Sequence, residues 1–199
     1  MAKTRSPRDR MVFSAAQLIR RQGVAATGLR DVVAHAEAPR GSLQHYFPGG
    51  KDQLVAEAAA WAGQFAANRV DKFVAGLAAP TPAGLFAAMV AQWRDEFRTE
   101  GFEGGCPVAA TVADCAAQNP GVRRATYDAF TGWTAAVANA LRAMGVPYRR
   151  ADPLATLMIA SLEGAILMAR AERDVRPLDT VVDELRPLLD AAVGRSAGS

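Results

Sequence analysis

Apolar residues recur in this chain at i, i+3, i+4 and i+7 and almost nowhere alternate with polar ones, so the pattern predicts helices and essentially no strands. Val12, Ala16 and Ile19 form one face of a first helix. Ser6 as N-cap, Pro7 at the first helical position and Asp9 completing a capping box mark its start, and Gly23 marks its stop. Val32, Val33 and Ala36 give a second, short helix an apolar side, opened by Thr27 or Gly28. Leu43 and Phe47 do the same for a third, opened by Arg40 or Gly41 just after Pro39, which cannot continue the helix before it.

A fourth pattern runs from Lys51 to about residue 78 through Leu54, Ala58, Trp61, Phe65, Phe73 and Leu77, until Pro80 and Pro82 break it. Leu85, Met89, Trp93 and Phe97 mark a fifth helix that ends before Gly101, and a short one follows over about residues 108–118. Asn119-Pro120 opens the next, which carries Val122, Phe130, Trp133, Val137 and Leu141. Asp152-Pro153 repeats that device and predicts a helix from Leu154 to about Glu172. The last pattern runs from about Leu178 to near Val193, with Pro187 inside it predicting a kink or an early stop. The expected fold is therefore all-α, with about nine helices: a three-helix head over residues 1–52 and a larger helical body over residues 53–199.

Two short helices and a tight connection within about twenty residues, 29–47, have the size of a helix-turn-helix, which makes DNA the first partner to consider. Neither helix is long enough to be stable alone, so the pair must share a core. Arg40, Ser42, Gln44, His45 and Tyr46 are left facing outward on the second of them; all can hydrogen-bond and none is acidic.

The overall net charge of +3 says little, but its distribution is lopsided. Residues 1–51 carry nine Lys and Arg against three acids, and the remaining residues carry a small net negative charge. A basic head suits a polyanion and a near-neutral body suits another task. The segment from Met11 to Ile19 is interrupted by Ser14 and Gln17 and runs into Arg20-Arg21, a poor signal peptide, and no uninterrupted apolar run of about 18 residues predicts a membrane span. Cys106 and Cys115 fit the reducing cytosol, so the expected location is cytoplasmic. On a single helix the two thiols would lie about 13 Å apart and half a turn out of phase, so inert thiols are expected rather than a disulfide switch.

A recognition helix needs donors and acceptors near its N-terminus to meet base edges, flanked by groups that hold phosphates. Arg40 can bond guanine and Gln44 adenine; Ser42, Tyr46 and Thr27 can donate to phosphates, Gly41 opens the helix, and His45 suits the groove or a phosphate. Lys51 sits at a helix start, where a cation opposes the helix dipole unless a phosphate lies beside it. The order Thr27, Leu29-Arg-Asp-Val-Val-Ala, Ala38-Pro-Arg-Gly-Ser-Leu43 and Tyr46-Phe47-Pro-Gly-Gly-Lys51-Asp-Gln-Leu54 resembles the DNA-binding domain of the TetR/AcrR family of transcriptional regulators, over about residues 7–55. Gly105-Cys-Pro-Val-Ala109 and the Pro-Gly-Gly-Lys closure resemble its LmrA/YxaF branch. Gln44 stands where that family usually has Tyr, so the operator read here need not be that of its relatives.

The resemblance implies a homodimer on a palindromic double-stranded DNA operator, a body that binds a small-molecule effector, and repression as the family's usual mode. It places the dimer contact on the last two long helices, where Leu157, Ile166, Leu185 and Leu189 are candidate contacts; Ser161, Gly164 and Ala165 would allow close helix approach. Trp61, Phe65, Met89, Trp93 and Phe97, with Phe130, Trp133, Met158 and Leu162, are candidates to line an apolar or aromatic effector's site, although such stripes are more often plain core. Glu163 and Arg94 are the charged exceptions on those helices.

The competing class is a helical small-molecule binder or enzyme with an incidental basic head. His35 and His45 have no Cys or carboxylate at metal-ligand spacing, so neither a metal nor a cofactor is expected. Gly49-Gly50-Lys51 does not complete a phosphate loop: His45 replaces its first Gly, Asp52 its Ser or Thr, and a helix rather than a strand precedes it.

Overall fold

The structure is a computed structural model that describes residues 6–39, 41–115 and 117–193. Among these it forms nine helices and no strand: α1 Pro7–Ala26, α2 Leu29–His35, α3 Ser42–Tyr46, α4 Gly50–Ala75, α5 Pro82–Glu100, α6 Pro107–Cys115, α7 Pro120–Ala143, α8 Tyr148–Glu172 and α9 Arg176–Asp190. The all-α expectation holds, and most boundaries follow local chemistry. Ser6 Oγ accepts from the Asp9 amide at 3.1 Å and Thr81 Oγ1 from the Gly84 amide at 3.0 Å, each cap followed by Pro at the start of the helix. Asn119 Oδ1 likewise accepts from the Val122 amide at the start of α7.

Two starts differ from the sequence reading. α8 begins at Tyr148 rather than Leu154 because the Pro147 carbonyl, on an extended residue, accepts from Arg150 and Ala151. Pro153 then lies inside the helix, where it removes one amide from the ladder opposite exposed Arg149, whose carbonyl water can satisfy. An ion pair between Arg142 and Asp152 and the Arg142 guanidinium over the Tyr148 ring, 4.3 Å from its centroid, secure this start. α9 begins at Arg176 with Pro177 in its first turn and ends at Asp190, one turn beyond Pro187.

The chain divides into two compact units, residues 1–65 with 104–131 and residues 66–103 with 132–199, so α4 and α7 each contribute to both. In the first unit Met11, Val12, Ala15, Ala16 and Ile19 of α1 meet Val32, Val33, Leu43, Phe47, Leu54 and Val55 in one core. Ala110 of α6 and Val122 of α7 pack against it. α4 and α7 cross closely enough there that a Cβ on Gly63 would lie 2.5 Å from the Ala129 Cβ. In the second unit α9 packs on α5 and α8. α8 is the one described helix long and apolar enough to cross a membrane by length and composition, and one side of it, with Leu154, Met158, Leu162 and Ile166, is buried.

α2 ends in a Schellman motif: the Ala38 amide bonds the Val33 carbonyl and the Glu37 amide the Ala34 carbonyl, with Glu37 at φ 50°. A left-handed backbone there suits Gly better than Glu. Exposed Glu37→Gly is expected to raise stability by roughly 0.5–1 kcal/mol, read as a rise in thermal midpoint of about 1–4 °C; an unchanged or lower midpoint would contradict the strain.

Both cysteines are free thiols, Cys106 buried and Cys115 half-buried. Burial raises the Cys115 thiol above its ordinary value, and Asp114 and Asp52 raise it further, while Lys51 pulls it down. A raised value means less thiolate at neutral pH. Alkylation of Cys115 by iodoacetamide is therefore expected to be slower than that of a free thiol at pH 7.5 and to accelerate at a higher pH than free cysteine does. Asp114→Asn should quicken it and Lys51→Ala slow it.

Candidate nucleic-acid interface

The head's shortest helices are held from outside. α1 supplies the fixed element: the Arg10 guanidinium donates to the Ala36 carbonyl at 3.0 Å and the Glu37 carbonyl at 3.3 Å, closing the C-terminus of α2 where carbonyls are otherwise open. His35 shares a hydrogen bond with buried Ser14 at 2.9 Å, a second tie between α1 and α2. α3 hangs from two apolar anchors, Leu43 and the completely buried Phe47. Between α2 and α3 runs an open groove lined by Arg30, Asp31, Glu37, Gly41 and Gln44.

Burial of Leu43 and Phe47 turns the opposite side of α3 outward. Gln44 and His45 are exposed and Tyr46 is half-buried with its ring edge-on to His45, centroids 5.0 Å apart. Gly41 is the N-cap and is exposed, while Ser42 is partly turned inward, its hydroxyl donating to the Pro39 carbonyl at 2.6 Å. Arg40 lies outside the described residues. The turn Phe47-Pro48-Gly49-Gly50, closed by the Gly50 amide on the Phe47 carbonyl with Gly50 at φ 66°, then redirects the chain into α4 and sets Lys51 at its start.

Two expectations about the head change. Thr27 is 3% exposed and its hydroxyl donates to the Gly23 carbonyl at 2.7 Å, so it closes the end of α1 rather than presenting a donor to phosphate. Lys51 Nζ lies 3.4 Å from the Ala25 carbonyl, so its charge faces the negative C-terminal end of α1 as well as solvent. A cation at the start of α4 thus has a stabilising partner within the fold, which local sequence could not show.

Sequence reasoning also missed how α6 is fastened to α1. The Gly105 amide donates to the Arg20 carbonyl at 2.8 Å and Arg20 Nε donates back to the Gly105 carbonyl at 3.0 Å. At the other end of α6, Asp114 Oδ2 accepts from the Val24 amide at 2.6 Å, beside Gly23, whose φ of 79° breaks the helix. A Cβ on Gly23 would sit 2.7 Å from that carboxylate oxygen. These partners are 85 and 90 residues apart in the chain, beyond any local signal.

The effector candidates fall into two groups. In the first unit Trp61 stacks on Phe65 and meets Phe13 of α1 edge-on, both at 5.3 Å between centroids, with Phe65 45% exposed and Phe130 half-buried. In the second, Met89, Phe97, Trp133, Met158 and Leu162 are buried and Trp93 is half-buried. Arg94 pairs with Asp179 at 2.9 Å, and both Glu163 carboxylate oxygens are shielded from solvent.

Of the expected dimer contacts, Ala165, Ile166 and Leu189 are 2%, 1% and 0% exposed and fill the core of their own unit instead. A helical turn of 100° per residue puts Ala165 and Ile166 on the same side as Met158 and Leu162. The outer side of α8 carries Leu157, Ser161, Gly164, Leu167 and Met168, with Leu167 and Met168 more than half exposed; Leu185 and Leu188 of α9 are at least partly exposed. Among the described residues, no group of three or more His, Cys, Asp or Glu is placed to hold a metal ion.

Comparison with known proteins agrees with this architecture at both ends of the chain. Residues 14–58 match the model of the bacterial regulatory proteins of the tetR family. Residues 82–184 match the C-terminal domain of LmrA/YxaF-like transcriptional regulators. The chain is 42% identical over 188 residues to the HTH-type transcriptional regulator Rv0196 of Mycobacterium tuberculosis, covering 92% of this chain and 94% of that one. It is 30% identical over 183 residues to YxaF of Bacillus subtilis, again covering 92% and 94%. A TetR transcriptional regulator from Legionella pneumophila shares the fold with a TM-score of 0.79 over 95% of this chain and all of its own, at 17% identity.

Proposed function

The chain belongs to the TetR family of bacterial transcriptional regulators, and on that premise we propose that it is a ligand-responsive repressor, binding a palindromic operator as a homodimer and released by a small lipophilic or aromatic effector. The observation that carries the reading is α3: buried Leu43 and Phe47 leave Gln44 and His45 exposed at the front of a strongly basic segment. Residues 1–52 then read DNA. Gln44 pairs with an adenine edge, Arg40 with guanine, and Ser42, Tyr46, His45, the Gly41 backbone and Lys51 hold flanking phosphates.

Residues 53–199 sense and dimerise in this reading. The effector stacks on accessible aromatic surface such as Phe65 and Trp61, and no cofactor or catalysis is involved. The partner protomer covers the outer stripe of α8 and α9, where Leu157, Gly164, Leu167, Met168 and Leu188 expose apolar or small side chains. The attachments of α6 to α1 offer a route by which a shift of α6 on effector binding moves the head. Such a regulator works in the cytoplasm.

Selection of bound sequences from random duplex DNA tests the reading. A dimer neutralising about six phosphates should lose about 40-fold in affinity between 100 and 200 mM salt, since each contact contributes about −0.9 to the slope of log K against log salt; an affinity flat in salt would overturn it. Gln44→Ala is expected to relax preference at one position per half-site, and Lys51→Ala to weaken all sequences alike and reduce the slope by about one per protomer. Met168→Glu should turn the dimer into a monomer on size exclusion, with secondary structure unchanged.

A further inference from the structure

Arg8, Gln53 and Glu57 are not among the groups expected to meet DNA, yet they form an unbroken chain of hydrogen bonds ending at the α3–α4 turn. The Gly49 amide donates to Gln53 Oε1 at 2.9 Å. Gln53 Nε2 donates to Glu57 Oε1 at 3.0 Å, and the other carboxylate oxygen of Glu57 accepts from Arg8 Nη2 at 2.6 Å. The Arg8 guanidinium also covers the Phe47 ring, 5.4 Å from its centroid. The ion pair is partly shielded, with side chains 42% and 27% exposed, so it is stronger than a freely solvated surface pair.

The position of this chain matters more than its strength. α3 has five residues, about one and a half turns, and cannot hold its own orientation. Its C-terminal side is set by buried Phe47 and by the turn that follows, and the chain from Arg8 to Gly49 grips both, joining them to α1 and α4.

We infer that Arg8, Gln53 and Glu57 are positioning residues for sequence reading: they brace the corner that sets how α3 presents Gln44 and His45 and how the turn presents Lys51. This rests on the DNA-binding reading above. Breaking the brace lets α3 rock against the groove. Base readout, which needs fixed geometry, then suffers, while the attraction of a basic head for any duplex, which depends on charge, persists.

The test uses fluorescence anisotropy of the full chain with two labelled duplexes of equal length, one carrying the sequence the wild type selects from random DNA and one of random sequence. Gln53→Ala is expected to lose about tenfold on the selected duplex and to stay within about twofold on the random one, with the salt slope unchanged; Glu57→Ala should lose about tenfold in the ratio of selected to random affinity, its affinity for the random duplex rising because Arg8 loses its counter-charge. The double variant should also lose about tenfold rather than a hundredfold, because either break opens the same chain. Arg8→Lys, which keeps the ion pair, should remain within about threefold of wild type. Unchanged selectivity in both single variants, equal losses on both duplexes, or an additive double loss would each overturn the brace. Should Glu57→Ala fail to fold, Gln53→Ala, which leaves the ion pair intact, carries the same comparison. A wild type with no salt-dependent affinity for either duplex would instead remove the DNA-binding reading itself.

Discussion

Burial of one aromatic ring governs the working end of this protein. Phe47 follows a helix of five residues, has no exposed surface, and is packed among side chains from α1, α2 and α4. A helix that short gains too few backbone hydrogen bonds to offset its ordering entropy, so it exists because its side chains are buried, worth about 2–3 kcal/mol for a ring of this size. The ring's place also decides which residues of α3 point away. With Leu43 and Phe47 inward, Gln44 and His45 are outward by helical geometry alone. Chemistry at the interface is thus a consequence of packing behind it.

The same economy shows in how charge is used. A basic head reads at first as a set of cations waiting for phosphate, but Arg8, Arg10 and Arg20 are engaged inside the fold, on Glu57, on the carbonyls that end α2, and on Gly105. Helix ends leave carbonyls without amide partners, and guanidinium groups with several fixed donors close them efficiently. Lys51 serves the end of α1 in the same manner while remaining near the surface. Arg8 is neutralised in part by Glu57, but Arg10, Arg20 and Lys51 bond neutral carbonyls, which uses a donor and keeps the charge, so the positive field of the head persists.

α6 shows what can be joined only in three dimensions. Its two ends are bonded to the last turns of α1, one through Arg20 and Gly105, the other through Asp114 and the Val24 amide next to a left-handed Gly23. Local unwinding at Gly23 exposes an amide that α1 cannot satisfy itself, and a carboxylate from far along the chain takes it. Compact units therefore follow packing and not chain order: residues 104–131 cluster with residues 1–65 although residues 66–103 lie between them in the chain.

Local chemistry was legible in the residues themselves. Periodicity placed the helices, Ser6-Pro7 and Asn119-Pro120 marked two of their starts, and Leu43 with Phe47 turned Gln44 and His45 outward, because these effects act within one or two turns of the chain. Asp152-Pro153 misled, since a proline in the second turn loses one amide bond and crowds one carbonyl, that of exposed Arg149, without ending the helix, and Pro147 could begin it a turn and a half sooner. Other roles depended on contacts between distant segments. Only the tertiary structure withdrew Thr27 into the end of α1, gave Lys51 and Asp114 their partners, and sent Ala165, Ile166 and Leu189 into the core while leaving Leu167 and Met168 outside. An apolar stripe specifies that a face is buried, and what buries it is decided by the elements that pack there.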